Sequence, residues 1–426
     1  MRIFDIINKK KNKQELTQKE IEFAVAGYQT GTFGDGEMAA LLMAICLNGL
    51  NQEETAHLTM AMANSGEILD LSDFGVAVDK HSTGGVGDKL TLTVAPMVAA
   101  AGLVMAKMSG KSLGHTGGTI DKLAALPGFK TELEPNEFRS ILKDVGVAIA
   151  SQSPNLAPAD KLIYALRDKT ACVDNISLIA ASVMSKKIAA GAKVIVLDIK
   201  VGSGAFMKSL DEARELAQIM VGIGKACGKC VAAVLTKMDA PLGRAVGNGV
   251  EVVEAVEVLK GAGNAEIREL SIELAAQIIS LAQNKDLALA KGIAARTLDD
   301  GTALKKFEEM VQSQGGNVAH VHDSSLFGMC QNIIPFTALQ TGYIAEINGE
   351  ICGHTAYIAT KGNTDLQAGI MFEKKPGDKV QIGDTLAYIH ANDKNAANEA
   401  KSLLQTAYKF SEDKPETASL VYEVIS

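Results

Sequence analysis

The segment Asp79-Lys-His-Ser-Thr-Gly-Gly-Val-Gly-Asp88 lies between a short β-prone run at residues 76–78 and an apolar helical stretch at residues 92–101. Consecutive glycines let backbone N–H groups turn toward an anion, and the start of the following helix adds partial positive charge. Lys80 offers a full charge and Ser82 a neutral donor. The segment matches neither a P-loop nor a dinucleotide fingerprint. It therefore predicts an anion-binding loop of another kind.

The same order of β-prone run, glycine-rich loop and alanine-rich stretch recurs along the middle of the chain. Residues 103–106 lead into a second glycine-rich loop, and residues 194–199 lead into Val201-Gly-Ser-Gly-Ala205. This alternation is typical of an α/β sheet with helices on its faces, which binds ligands at the carboxyl ends of its strands. The pattern predicts an α/β, phosphate-binding domain over residues 76–159 and 194–330.

The beginning of the chain has a helical pattern instead. Thr17-Gln-Lys-Glu20 is a capping-box sequence, and Asn51-Gln-Glu-Glu54 repeats the signal. Apolar residues follow each segment at helical spacing. We expect an α domain over residues 1–75, completed by about residues 160–193.

Residues 331–426 have a third sequence pattern, in which strand-like runs alternate with Gly-Asp turns. Such turns are also typical of biotinyl and lipoyl carrier domains, but we recognise no lysine motif of the kind that a carrier presents at a hairpin tip. We therefore expect a C-terminal β-rich α+β domain that supports or closes the site. Its strands are expected at residues 343–347, 356–359 and 386–389.

Composition narrows the range of partners. The chain has 426 residues, is 47% hydrophobic and carries a net charge of −8, so its overall field does not favour nucleic acid or an anionic membrane. We find no apolar run of about 18 residues and no apolar signal core. Six cysteines are too sparse for a disulfide framework. We expect a cytoplasmic protein with no nucleic-acid or membrane partner.

A second anion-binding loop is predicted at Lys107-Met-Ser-Gly-Lys-Ser-Leu-Gly-His-Thr-Gly-Gly-Thr119-Ile-Asp-Lys-Leu123. It follows a β-prone run and is dense in hydroxyls, cations and glycines. Two such loops facing each other would surround one dianion with donors. His115 within it is the kind of isolated histidine that is more often structural than catalytic.

A third polar region comprises Tyr164-Ala-Leu-Arg-Asp-Lys-Thr170 and Ser182-Val-Met-Ser-Lys-Lys187. Ser182 and Lys186 are four residues apart and share one face if this stretch is helical. Arg167 can make a planar, bidentate contact to a carbonyl-rich ring. Any one of these residues, taken alone, is by default a solvated surface charge, and a pocket for such a ring would need them together.

Four motifs in order resemble the thymidine and pyrimidine-nucleoside phosphorylases: residues 80–88, Ser109-Gly…Gly-His-Thr-Gly-Gly-Thr-Ile-Asp121, Ala165-Leu-Arg-Asp168 and Lys200-Val-Gly-Ser-Gly-Ala-Phe-Met207. The resemblance implies an α domain, an α/β domain with a mixed sheet and the active cleft between the two, a C-terminal β-rich region and a homodimer. It implies phosphorolysis of uridine, thymidine or deoxyuridine to the free base and a pentose 1-phosphate. Phosphate would be a co-substrate, and no organic cofactor is expected.

Site residues follow from the resemblance by motif. The implied catalytic residues are His81, Arg167 and Lys186, and the pyrimidine would contact Arg167, Ser182 and Lys186. A monovalent cation, with potassium as the expected ion, would be bound by Gly87, Lys89, Leu242, Ala245 and Glu254. Lys107-Met-Ser109 is more similar to the broad pyrimidine type than to the thymidine-restricted type. The implied phosphate-binding residues are Lys80, His81, Ser82, Thr91, Lys107, Met108, Ser109 and Thr119.

The chain departs from the family pattern at several positions. Lys111 and Ser112 replace an Arg-Gly pair, which keeps a charge but loses the guanidinium fork. Ala124 stands where the family usually has Glu. Lys89 stands at a cation-site position usually held by an uncharged residue, so its ammonium can compete with the ion for Glu254.

Two alternatives stay open. An anthranilate-type phosphoribosyltransferase has a similar fold and glycine-rich anion loops, but it handles pyrophosphate with magnesium and would be expected to show acidic metal ligands. The set of Arg167, Ser182 and Lys186 argues against it. The other alternative is a catalytically weakened binding protein of the same fold, suggested by the departures in the loops.

Overall fold

A computed structural model describes residues 1–110, 117–416 and 418–426. Its helices are α1 Ile3–Lys11, α2 Gln18–Gln29, α3 Asp35–Asn48, α4 Gln52–Ala63, α5 Leu90–Ala100, α6 Thr119–Ala124, α7 Pro135–Val145, α8 Pro158–Lys169, α9 Ile176–Ala189, α10 Leu210–Ala226, α11 Gly249–Leu259, α12 Ala265–Gln283, α13 Leu287–Asp299, α14 Thr302–Ser313, α15 Ala319–His322, α16 Gly349–Ala359 and α17 Lys394–Leu404. Its strands are β1 Ala77–Ser82, β2 Val104–Ser109, β3 Val147–Ser151, β4 Val194–Val201, β5 Cys230–Lys237, β6 Ala245–Gly247, β7 Asn332–Thr337, β8 Gly342–Ile347, β9 Gly369–Phe372, β10 Lys379–Val380, β11 Thr385–Ala391, β12 Tyr408–Ser411 and β13 Val421–Ile425.

The central sheet has the strand order β13-β5-β4-β1-β2-β3. Neighbours from β5 to β3 pair in parallel, and β13 pairs antiparallel to β5, so the sheet is mixed. The α/β fold class is therefore confirmed. Because the strands run parallel, the loops after β1, β2 and β4 all leave the same edge of the sheet.

Strand β1 extends further than its apolar residues suggest. Its last four residues, Asp79 to Ser82, belong to the segment that we assigned to the glycine-rich loop. Buried charges are tolerated in a central strand when they are paired, and Asp79 and Lys80 each contact an opposite charge on a neighbouring element. The glycine-rich turn proper therefore begins after Ser82.

The N-terminal helices α1 to α4 share a hydrophobic cluster with α8 and α9. Both expected capping boxes are present, at Thr17 before α2 and at Asn51 before α4. Within this helical unit, Lys10 donates to both oxygens of Glu54 at 2.8 and 3.0 Å in a buried ion pair. Helices α8 and α9 thus pack on the helical unit while they adjoin the sheet in sequence, and both line the cleft described below.

The C-terminal part contains two small sheets, in the orders β10-β8-β12 and β6-β9-β11-β7. The strands expected at 343–347 and 386–389 are present, but the one expected at 356–359 is wrong, because those residues form the last turn of α16. Asn348 caps α16 by accepting a hydrogen bond from the Ile351 N–H. Two short strands also cross the expected boundary: β6 joins the C-terminal sheet, and β13 joins the central sheet.

Among the residues that the structure describes, none of the helices combines the length and the apolar character that crossing a bilayer requires.

Candidate active site

A cleft of about 520 Å³ opens between the carboxyl edge of the central sheet and helices α8 and α9. Ser109 and Gly110, at the end of β2, line one side, and Lys186 of α9 lines the other. The end of β3 and the first turns of α8 complete the wall. The cleft therefore lies between two regions for which the sequence predicts different ligands: the phosphate loops and the ring pocket.

Lys80 lies on the side of the cleft where the sequence predicts phosphate, and its side chain is fully buried. Its ammonium is 2.9 Å from the Asp198 carboxylate and 3.9 Å from Asp88, while Lys200 approaches the same Asp198 at 2.9 Å. Burial alone would lower the pKa of Lys80, but the charges of Asp198 and Asp88 raise it above its usual value. Among the described residues, neither lysine ammonium makes a well-directed hydrogen bond. Each ammonium therefore keeps donor capacity beyond its ion pair with Asp198.

A second buried group surrounds Asp79. Its carboxylate lies 2.9 Å from the Lys187 ammonium and 3.5 Å from that of Lys107. Both ammonium groups also donate to the Met108 carbonyl, Lys187 at 2.9 Å and Lys107 at 3.2 Å. Burial lowers the pKa of Lys107 to about 7; Asp79 opposes this shift, and Lys187 and Lys80 add to it. An anion bound here would favour the charged form of Lys107.

The first glycine-rich turn is built by local contacts. The Ser82 hydroxyl accepts a hydrogen bond from the Gly84 N–H at 3.1 Å, and Gly84 has a positive φ of 94°. Thr91 is buried in the first turn of α5, and Thr119 begins α6. The turn therefore leads directly into a helix N-terminus, as expected of an anion-binding loop.

Part of the second loop lies outside the described residues. The departures at Lys111 and Ser112 and the histidine at position 115 fall within this gap at residues 111–116. Ala124, the remaining departure in this region, is the exposed last residue of α6.

His81 is partly buried at the end of β1. Burial and the charges of several lysines, including Lys187, Lys107 and Lys186, hold its pKa well below its usual value. The imidazole is therefore neutral near pH 7 and can donate one hydrogen bond. The charges that act on it come from both sides of the cleft.

On the ring-pocket side, Ser182 and Lys186 share one face of α9 as the spacing predicts. The Lys186 ammonium donates to the Ser182 hydroxyl at 3.1 Å and to the Asp160 carboxylate at 2.6 Å. Asp160 is buried in the first turn of α8, and its other oxygen has no hydrogen-bond partner among the described residues. The contacts hold the lysine head group at the cleft wall.

Arg167 lies behind this wall and is only 1% exposed. Its guanidinium donates to the Cys172, Val173 and Leu178 carbonyls at 2.9, 2.7 and 3.0 Å. These bonds tie the end of α8 to the start of α9. Two of its five N–H groups remain for another acceptor. The structure thus brings Ser182 and Lys186 together at the cleft and places Arg167 mainly on backbone carbonyls.

Several residues of the site were missed from the sequence. Asp160 and Asp198 each pair with a lysine that the motifs contain, and Asp79 was quoted without a role. The only sequence signal for Asp198 is that it and Lys200 interrupt the apolar run Val194–Val201. Asp160 carries no such signal, since its partner lies 26 positions along the chain.

The five expected cation-site residues do come together, but a lysine takes the central position. The Lys89 ammonium donates to the Leu242 carbonyl at 2.9 Å, the Ala245 carbonyl at 2.8 Å and the Glu254 carboxylate at 2.5 Å. Gly87 packs against the same carbonyls: a Cβ added there would lie 2.8 Å from that of Leu242. These oxygens cannot ligate a potassium ion while the ammonium stands among them, so the residues as placed do not fit the ion.

Known protein families match three segments of the chain. Residues 4–66 match the family model described as "Glycosyl transferase family, helical bundle domain", and residues 75–304 match "Glycosyl transferase family, a/b domain". Residues 359–411 match "Pyrimidine nucleoside phosphorylase C-terminal domain". In fold, the chain is similar to anthranilate phosphoribosyltransferase from Thermus thermophilus, with a TM-score of 0.60, 19% identity and coverage of 72% of this chain and 98% of that one.

Curated relatives are much closer in sequence. A pyrimidine-nucleoside phosphorylase of Geobacillus stearothermophilus is 45% identical over 434 aligned positions, which cover 100% of both chains. One from a strain of Staphylococcus aureus is 46% identical over 411 positions, covering 95% of each chain. Together with the three family models, these matches show that the chain belongs to the pyrimidine-nucleoside phosphorylase family.

Proposed function

We propose that the protein catalyses the phosphorolysis of pyrimidine nucleosides such as uridine, thymidine and deoxyuridine. One observation carries the proposal: a single cleft is lined by Ser109, where β2 leads into the second phosphate loop, and by Lys186 of the ring pocket. A nucleoside in this cleft would place its base near Lys186 and its C1′ toward the phosphate loops. That is the arrangement in which phosphate can reach the sugar carbon.

Phosphate would bind above the buried lysines. Lys80, Lys107, Lys187 and Lys200 face three carboxylates, those of Asp79, Asp88 and Asp198, so this cluster has one positive charge in excess when Lys107 is protonated. An excess of buried cations favours an anion over bulk water. The hydroxyls of Ser82, Ser109 and Thr119 and the backbone of the glycine-rich turn would orient it.

In the reaction, a phosphate oxygen would form a bond to C1′ while the bond from C1′ to N1 of the base breaks. The electron pair of that bond leaves with the base, which then takes up a proton. Lys186 would stabilise the negative charge that develops on the ring, and neutral His81 would donate a hydrogen bond to it. Arg167 would add its charge from behind the wall and hold the turn between α8 and α9 in place.

The proposal also includes the expected oligomeric state and cellular compartment. A homodimer is part of this proposal, and exposed Phe4 and Leu47, on helices α1 and α3 that pack on each other, are apolar side chains that an interface through the helical unit would cover. Free cysteines, the buried Cys352 among them, fit the reducing cytoplasm. A monovalent cation stays an expectation, and no step of the proposed reaction requires one.

A phosphoribosyltransferase of the same fold is disfavoured by the pairing of the carboxylates. Asp79 and Asp198 each contact two lysines, and Asp88 lies near Lys80, so none of the three is free to bind magnesium. Three measurements distinguish phosphorolysis from phosphoribosyl transfer. They are the loss of uridine with phosphate, the loss of uridine without phosphate, and the turnover of a phosphoribosyl pyrophosphate with an aromatic amine. We expect turnover only in the first, and uridine loss that ignores phosphate would overturn the proposal.

A further inference from the structure

Lys89 is a buried cation outside the phosphate cluster that lies against the glycine-rich turn. It is the residue directly before α5, immediately after the glycine-rich turn, and it is 1% exposed. Its three ammonium protons match three oxygen acceptors, from the Leu242 and Ala245 carbonyls and the Glu254 carboxylate. An ammonium group with all three donors used in this way is a fully coordinated cation.

The acceptors belong to a segment that touches the phosphate turn directly. The Leu242 N–H donates to the Val86 carbonyl at 3.0 Å, and the positive φ of Gly87 lets it approach the Leu242 carbonyl. Glu254 is fixed in turn by the Arg244 and Ala245 N–H groups at 2.6 and 2.9 Å. A cation at this point therefore joins the turn, the 242–245 segment and helix α11.

The positive charge of Lys89 is paired with the negative charge of Glu254. Burial works against ionisation of Glu254, but the charge and hydrogen bond of Lys89, with the two backbone N–H groups, lower its pKa below the usual value. Removing either partner would leave an unpaired buried charge, which is strongly unfavourable. The turn is thus held by a cation that cannot dissociate, since it is attached to the chain.

We propose that the Lys89 ammonium is a built-in replacement for a monovalent cation, so that the enzyme holds its phosphate turn without potassium. Lys89 is a positioning residue: it acts on phosphate through the backbone of residues 84–88 and not by contact. The inference builds on the proposed phosphorolysis, because its kinetic readout depends on phosphate. Its second readout, thermal stability, does not depend on the reaction.

The test compares the wild type with Lys89→Thr, in which a hydroxyl replaces the ammonium and leaves room for an ion. Both are prepared free of potassium, and potassium chloride is then titrated at constant ionic strength set with tetramethylammonium chloride. We expect the wild type to be indifferent to potassium. Without potassium, Lys89→Thr should lose about 10- to 100-fold in kcat/KM for phosphate, with a larger change in KM for phosphate than for uridine.

Potassium or ammonium ions should restore both the activity and the thermal midpoint of Lys89→Thr, and tetramethylammonium should restore neither. Lys10→Thr is the matched control, since it breaks a buried Lys–Glu pair whose ammonium donates to no backbone carbonyl of the described residues. It should lose stability with no specific recovery by potassium.

Three results would overturn the proposal: stimulation of the wild type by potassium, full activity of Lys89→Thr without it, or an impaired, folded Lys89→Thr that neither ion restores. The wild-type titration needs no variant, so the proposal stays testable if Lys89→Thr does not fold. A wild type without phosphorolysis would refute the proposed function, and the melting curves of Lys89→Thr would still test the built-in cation.

Discussion

The Lys186 ammonium of α9 lies 2.6 Å from the Asp160 carboxylate of α8 and 3.1 Å from the Ser182 hydroxyl. One cation is thereby held at the cleft wall by a carboxylate and a hydroxyl from two different helices. A fixed cation stabilises developing charge without reorganising at the moment of reaction.

Replacing Lys186 should therefore slow the departure of the base. A pyrimidine anion carries its charge over N1, O2 and O4, and Lys186→Ala should lower kcat as well as kcat/KM. A 5-fluoro substituent stabilises that anion by itself, so 5-fluorouridine should lose less than uridine in single-turnover measurements. Lys169→Ala, at the exposed end of α8, is the control. Equal losses on both substrates would mean that Lys186 holds the base without activating it.

Asp160→Asn should lower turnover less than Lys186→Ala does, because the lysine would lose its anchor but keep its charge. A double-mutant cycle with Lys186→Ala should show a coupling energy of about 0.5–3 kcal/mol in the activation free energy. Additive losses would show that Asp160 does not act through Lys186.

His81 should act as a neutral donor. Since its pKa lies well below the usual value, kcat/KM should show no ionisation of an imidazole between about pH 6 and 7. His81→Ala should cost about 10²- to 10⁴-fold in kcat/KM. His81→Gln, which keeps an N–H donor, should recover part of the loss. If the wild-type plot of kcat/KM against pH falls on the acid side and this fall is absent from both variants, His81 ionises in that range and the neutral-donor role is wrong.

The pKa of Lys107, lowered to about 7, predicts how anion binding depends on pH. The ammonium is charged below this pKa and loses its proton above it, so the free enzyme should bind a dianion more weakly as pH rises. Sulfate is a suitable probe because its charge does not change in this range, and its inhibition constant should increase above about pH 7. Lys107→Arg, which stays charged, should flatten the profile. A wild-type profile as flat as that of the variant would contradict the prediction.

The sequence predicts local features of the fold well and pairings poorly. The strands β1, β2 and β4 and the capping boxes at Thr17 and Asn51 depend on residues adjacent in sequence, and all are present. Residues 356–359 were expected to be a strand because four apolar or aromatic positions cannot distinguish a strand from a helix end. The cap at Asn348 decides in favour of the helix.

Ion-pair partners are the main features that the sequence does not reveal. Lys80 and Lys186 were identified by their motifs, but their partners Asp198 and Asp160 become neighbours only when the sheet and helices assemble. Likewise, the sequence indicates that Lys89 can compete with an ion for Glu254, but it does not show which of the two occupies the position. That depends on the distances from the Lys89 ammonium to oxygens more than 150 positions away in the sequence.

The most direct test of the account is the fate of oxygen in the phosphate. Uridine is incubated with phosphate labelled with ¹⁸O at every oxygen, and the ribose 1-phosphate is analysed by mass spectrometry. Attack by phosphate on C1′ predicts that the product keeps all the labelled oxygens, because no bond to phosphorus breaks. Loss of one label would mean that a sugar hydroxyl attacked phosphorus, and release of free ribose would mean hydrolysis. Either result would contradict phosphorolysis at C1′.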